Sequence, residues 1–208
     1  GEVDVELGPN ETILIEPGAM SRMSSNMNSS FQRQGGFFSA MFRKMFGGES
    51  FFLGKYEHPD GGKLTFAPSI PGHVENRQLT NDSLNIMAGC FLACTPGVNI
   101  KAKFGGFKAL FSGEGAFLLE ASGNGELFFN SFGGIVEKQI NGEFIVDTGH
   151  VVAFDPSLDY TISGMGNFKS TMLSGEGLVM RFKGSGKLYL QTRNVSSVAS
   201  WLTPRLLG

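Results

Sequence analysis

A short phrase recurs three times along this chain: Gly48-Glu49-Ser50-Phe51-Phe52, Gly113-Glu114-Gly115-Ala116-Phe117 and Gly175-Glu176-Gly177-Leu178-Val179, at offsets of 65 and 62 residues. A second phrase follows each at a similar distance, as Gly62-Lys63-Leu64, Gly125-Glu126-Leu127 and Gly186-Lys187-Leu188. A third precedes each: Ile15-Glu16-Pro17-Gly18-Ala19-Met20, Ile86-Met87-Ala88-Gly89-Cys90-Phe91 and Val146-Asp147-Thr148-Gly149-His150-Val151. Repetition over such a span marks stacked or symmetric supersecondary units rather than one chance peptide. The spacing divides the chain into units of about 1–77, 78–137 and 138–208. No Pro/Ser-rich or highly charged linker separates them, which predicts one domain with a shared core.

The units read as β-structure. Thirty glycines and eight prolines are spread evenly, and punctuation roughly every eight to twelve residues is the spacing of short strands in a sandwich or barrel. Helix-length amphipathic periods are nearly absent, so one or two short helices at most are expected. Glu126-Leu127-Phe128-Phe129-Asn130 and Lys187-Leu188-Tyr189-Leu190-Gln191-Thr192 place apolar residues between polar ends, as core strands do. Asn141-Gly142, between two apolar-alternating runs, predicts a type I′ hairpin. Asp60-Gly61-Gly62 predicts a second, and Gly184-Ser185-Gly186 reads as a strand turn. The expected fold is an all-β sandwich of three pseudo-symmetric repeats.

Charge and composition exclude several function classes. Seventeen Lys and Arg against nineteen Asp and Glu leave a net charge of −2, without the dense basic stripe that neutralises several phosphates, so nucleic acid is not an expected partner. No run of eighteen apolar residues crosses a bilayer, and the first residues lack a secretory signal, which predicts a cytoplasmic protein, or a mitochondrial one where a targeting segment has been trimmed from a eukaryotic chain. Cys90 and Cys94, on one extended strand, would stand about 13 Å apart, too far for a disulfide, and read as buried thiols.

Catalytic constellations are scarce. His58, His73 and His150 stand singly, without a second ligand at metal spacing. Lys183-Gly184-Ser185-Gly186-Lys187 lacks the first glycine and the Ser/Thr of a phosphate loop, and the paired Gly-Glu-Gly turns do not continue as dinucleotide loops. No Gly-x-Ser-x-Gly elbow occurs. No cofactor is implied. Two sets of candidates remain. In Gly35–Gly48, Phe38, Met41, Phe42 and Met45 fall at helical spacing between glycine pairs, and such adaptable side chains suit a docking arm for a protein partner. His150 with Asp147 could act as an acid/base pair, and Glu49, Glu114 and Glu176 could converge on a pseudo-threefold axis to hold a cation or share a proton.

Val146-Asp147-Thr148-Gly149-His150-Val151-Val152-Ala153-Phe154, Leu173-Ser174-Gly175-Glu176-Gly177-Leu178, Leu190-Gln191-Thr192-Arg193 and Glu16-Pro17-Gly18-Ala19-Met20 together resemble the altered-inheritance-of-mitochondria protein 24 family over essentially the whole chain. The resemblance implies a sandwich related to the tryptophan RNA-binding attenuation protein fold, with three pseudo-symmetric units. It also implies an uncharacterised bacterial-type member, while mitochondrial members are tied to inner-membrane organisation. It supplies no catalytic residues, and the RNA and tryptophan binding of the fold's namesake has no matching motif here. Two functions are therefore carried forward: a non-enzymatic scaffold or protein-interaction module, able to associate peripherally with membranes, and a small-molecule or ion-binding domain with hydrolytic capacity. Exposed strand edges would also permit a homo-oligomer.

Overall fold

Two four-residue apolar strands set the layering of the molecule. In the computed structural model, which describes residues 1–33, 52–103, 118–164 and 178–206, Phe91–Cys94 (β8) and Val151–Phe154 (β12) are buried at every position. A strand buried on both faces has no polar side to alternate, which is why each reads as a continuous apolar run. The faces of β8 go to different clusters. Phe91 and Cys94 join a central cluster, whereas Leu92 and Ala93 join one built around Leu7, Ile13, Ile15, Leu64, Phe66 and Phe128. β12 divides space likewise. Val152 and Ala153 enter the central cluster, and Val151 and Phe154 enter a third with Ile140, Met180, Phe182 and Leu188. Three apolar clusters thus stand in a row, with β8 and β12 as the partitions.

The connectivity recurs. In the middle unit, Val74–Met87 (β7) leads through a single 3-10 turn, Ala88–Cys90, to β8, then Val98–Lys103 (β9) and Leu118–Asn130 (β10). β10 pairs antiparallel with β7, β8 and β9. The last unit repeats this: Ile135–Asp147 (β11), a 3-10 turn at Thr148–His150, β12, Leu158–Gly164 (β13) and Leu178–Gln191 (β14), which pairs with β11, β12 and β13. In the first unit both long strands are split. Val3–Leu7 (β1) and Met20–Met23 (β3) pair with Gly62–Phe66 (β6), whereas Thr12–Ile15 (β2) and Asn28–Arg33 (β4) pair with Phe52–Glu57 (β5). β1, β6 and β3 form a three-stranded sheet, and the other eleven strands form the larger one. The architecture is all-β with antiparallel sheets, and a helix at Val195–Leu206 (α1) follows β14. Recurring connectivity does not by itself establish a three-fold axis.

Units join through equivalent strands in an equivalent register. β2 meets β8 with Leu14 opposite Cys94 and Ile15 opposite Ala93. β7 meets β12 with Asn85 opposite Phe154 and Ile86 opposite Ala153. The second junction is reinforced where Arg77 donates to Asp155 at 2.8 Å and to Asp82 at 3.0 Å.

Each unit bends its long strands at one place, where backbone of positive φ faces backbone of positive φ. Asn10 at +60° and Gly61 at +88° occupy the splits of the first unit. Asn81, at +60°, is the extra residue of a bulge opposite Gly123 at +123°. Gly142 at +110° lies directly opposite Gly184 at +129°. Glycine, and Asn or Asp among the others, enters this region at low cost.

Three turn expectations need correction. Asn141-Gly142 closes no hairpin: β11 runs through it, paired with Ser185 and Gly184, because Gly142 and Gly184 kink together and Ser185 Oγ donates to Asn141 Oδ1 at 2.7 Å. Gly184-Ser185-Gly186 is likewise strand interior. Asp60-Gly61 does turn, but its flanks belong to different sheets, with the Asn10 N–H on the His58 carbonyl at 2.8 Å. The core strands at Leu127–Asn130 and Leu188–Tyr189 are buried, and both cysteines are buried free thiols.

A Cβ at Gly184 would stand 2.7 Å from the Ser157 carbonyl oxygen, whereas one at Gly142 meets nothing within 4 Å. Gly184→Ala is therefore expected to destabilise by about 2–4 kcal/mol and Gly142→Ala by about 1–2 kcal/mol, since only the first adds a clash to the strain of positive φ. Urea unfolding of the two variants checks the order.

Candidate functional site

The corner where β14 passes into α1 gathers the polar side chains of the third unit. Asn194 caps the helix: its Oδ1 accepts the N–H groups of Ser196 at 2.9 Å and Ser197 at 3.3 Å, satisfying donors that a helix start leaves unpaired. Its amide nitrogen donates to Asp147 Oδ1 at 3.4 Å, and the same oxygen accepts the Gly149 N–H at 2.7 Å. Gln191 closes the arrangement from below. Its Nε2 donates to the Gly149 carbonyl at 2.7 Å, and its Oε1 accepts the Phe132 N–H at 2.8 Å. A Cβ at Gly149 would crowd the Asn194 amide, so a larger residue there would push the Asn194 side chain off its seat.

On this seat α1 stands clear of the sheets. None of its residues is buried. Val195, Val198, Trp201, Leu202 and Leu206 are all exposed, Trp201 at 58%, and their spacing puts them along one stripe. The stripe is almost uncharged. Arg205, its one cation, lies over the Trp201 ring at 4.3 Å from the centroid and donates to the Trp201 carbonyl. Thr203 Oγ1 donates to the Ala199 carbonyl at 2.8 Å, so side chains serve the carbonyls around Pro204, whose ring nitrogen donates to none. Below Trp201 a groove of about 270 Å³ is lined by His150, Thr192, Arg193, Asn194, Ser197 and Val198.

The expected acid/base pair is placed here but used otherwise. Asp147 spends its Oδ1 on Gly149 and Asn194, whereas His150 Nδ1 lies 2.8 Å from the Gln191 carbonyl. A carbonyl only accepts, so Nδ1 carries the hydrogen and a neutral His150 keeps Nε2 as an acceptor. Neither bond joins the two residues to each other. His58 is buried between the Ser25 carbonyl and the Asp60 N–H, and His73 lies 3.4 Å from Glu75 at the surface. Glu49, Glu114 and Glu176, and the arm residues Phe38, Met41, Phe42 and Met45, lie outside the described residues. Among those described, no three His, Cys, Asp or Glu side chains gather as a metal would need, and no helix is long and apolar enough to cross a membrane.

Sequence reasoning misses α1, although Asn194 before Val195, Val198, Trp201 and Leu202 is a legible cap and stripe; Pro204 and the scarcity of charge obscure it. It also passes over Glu16, the counterpart of Asp147 in the first unit. Burial lifts the Glu16 carboxyl from its ordinary 4.5 to about 7. Burial, and secondarily the Glu16 charge, pushes the Cys90 thiol up to about 12, and burial does the same for Cys94. Such thiols are not nucleophiles near neutral pH.

An all-β chain of antiparallel sheets, with a helix seated on polar side chains, is a class defined by its architecture. A family model described as Mitochondrial biogenesis AIM24 matches residues 2–193. An uncharacterized protein of Streptococcus pyogenes serotype M6 is 31% identical over 210 residues, covering 97% of this chain and 84% of that protein. An X-ray crystal structure of a Streptococcus pyogenes protein superposes with a TM-score of 0.82 at 29% identity, covering 98% of this chain and 94% of that one. The chain belongs to the AIM24 family, as the motif resemblance implied.

Two outcomes follow from the turn residues. Because the folded state binds a proton at Glu16 more tightly than the unfolded chain, stability is full below about pH 4.5 and falls as pH rises through about 7. Glu16→Gln should remove this fall, gaining roughly 2–3 kcal/mol over the parent at pH 8 and little at pH 4, as read by denaturant unfolding at both pH values. Asn194→Ala should cost about 1 kcal/mol and speed amide exchange across Val195–Leu206 without altering exchange in β10 or β14.

Proposed function

We propose that this protein is a non-enzymatic interaction module that presents the apolar stripe of α1 to a groove on a protein partner. The observation that carries this reading is the uncovered stripe: Val195, Val198, Trp201, Leu202 and Leu206 all face solvent on a helix whose start is pinned by Asn194, Asp147 and Gln191. An amphipathic helix laid in a groove engages through such i, i+3, i+4 and i+7 anchors, and Trp is the side chain most enriched among residues that dominate binding energy. A pinned start also lowers the entropy lost on docking. A protein surface fits better than a lipid one, since a membrane-surface helix carries a Lys/Arg-rich polar face and α1 carries Arg205 alone.

A second reading rests on the groove beneath Trp201, where His150, Arg193 and the aromatic ring converge. A small anionic ligand would suit that lining. A ligand held at a hundred times its dissociation constant would stabilise the fold by about 2.7 kcal/mol, within reach of a thermal-shift panel of anionic metabolites.

The primary test is affinity capture from the native cell with the intact chain and with Trp201→Ser/Leu202→Ser. Both residues are exposed, so unfolding free energy should change by less than about 0.5 kcal/mol per site. Partners lost from the variant alone support the reading. Identical partner sets from two equally folded baits defeat it.

A further inference from the structure

The row of units has two unfinished ends, and they match. Each internal junction joins the end of one unit's first long strand to the short strand after the next unit's turn, in one register: Leu14 opposite Cys94 with Ile15 opposite Ala93, then Asn85 opposite Phe154 with Ile86 opposite Ala153. The same step once more would join β11 to β3. Among the described residues it is not made: β11 pairs with β14 alone, and β3 with β6 alone. The repeated motifs fix what the register would be, since Ile145 stands where Leu14 and Asn85 stand, and Met23 where Cys94 and Phe154 stand. Ile145 would face Met23, and Val146 would face Arg22.

Burial identifies the same two residues independently. Leu14, Asn85, Cys94 and Phe154 are all buried at the internal junctions, whereas Ile145 is 49% and Met23 44% exposed. An apolar residue at each free end, on an unpaired strand edge, is a surface left incomplete by a single chain. We propose that the free edge of β11 pairs antiparallel with β3 of a second copy of this chain, in the register that the chain already uses twice within itself.

Charge is accommodated at this contact. Arg22, in the place of Ala93 and Ala153, donates through both terminal nitrogens to Glu2 at 3.0 and 2.8 Å and also reaches Asp4. What approaches Val146 is a guanidinium already held by two carboxylates rather than a bare one, which keeps the contact weaker than the all-apolar internal junctions. The contact is heterologous, head to tail, so copies close into a ring if the rotation per copy permits and otherwise extend as a chain.

The test uses cysteines at the predicted pair. Directly opposed residues of antiparallel strands have Cα atoms about 4.5–5.5 Å apart, within the span of a disulfide. The native Cys90 and Cys94 are buried, with thiols pushed up to about 12, and do not compete. A mixture of Met23→Cys and Ile145→Cys chains should yield a disulfide-linked heterodimer under mild oxidation, while neither chain alone does, and the double variant should yield a ladder or one closed oligomer. Wild-type mass by light scattering should rise with concentration, and Ile145→Lys should weaken association about tenfold or more with its melting temperature unchanged. A disulfide within one chain of the double variant would overturn the proposal, because the junction would then close internally. An Ile145→Cys homodimer, or a wild-type monomer at every concentration without cross-linking, would overturn it too, leaving the edge to another partner.

Discussion

The structure depends on backbone buried on both faces. β8 and β12 each carry four consecutive buried residues and divide their side chains between two apolar clusters. A strand in that position has no solvent face, so its peptide groups must find partners on both edges. β8 finds β10 and β2, and β12 finds β14 and β7. The double pairing joins successive stretches of the chain through β2 against β8 and β7 against β12 in one continuous sheet. The corresponding strand of the first unit, β3, has Ser21 and Arg22 where the others have apolar residues, and it ends the row.

The polar side chains of the third unit serve that body in a different way. At the positions of Glu16 and Met87 the third unit has Asp147, and at those of Ala19 and Cys90 it has His150. In the first unit the carboxyl is partly buried, which disfavours its charge. In the third, Asp147 accepts bonds from Gly149 and Asn194 and anchors the helix that follows. One turn geometry thus supports a desolvated acid in one copy and a helix seat in another, because the surroundings rather than the turn decide what the carboxylate meets.

The all-β class and the core strands are legible from residue identity, since glycine spacing and apolar runs act through local conformation and burial. The pairing of those strands is less so. Asn141-Gly142 carries the full local signal of a hairpin, yet it lies within a continuous strand, because positive φ serves a kink between two long strands as well as a turn between two short ones. His150 and Asp147 lie three positions apart in sequence and were candidates for one another, but each found a partner more than forty residues away, Gln191 and Asn194. Trp201 and its stripe follow a cap that can be read directly, while their exposure cannot.

What the sequence by itself determined is the all-β class and the core strands around Leu127–Asn130 and Leu188–Tyr189, consequences of backbone conformational limits and of the cost of exposing apolar surface. What only the tertiary structure decided is adjacency. Which strand edges are filled and which stay open, which carboxylate is desolvated and which caps a turn, and whether an apolar helix is covered all depend on contacts between residues distant in the chain, and no local pattern encodes the separation between two such residues in space.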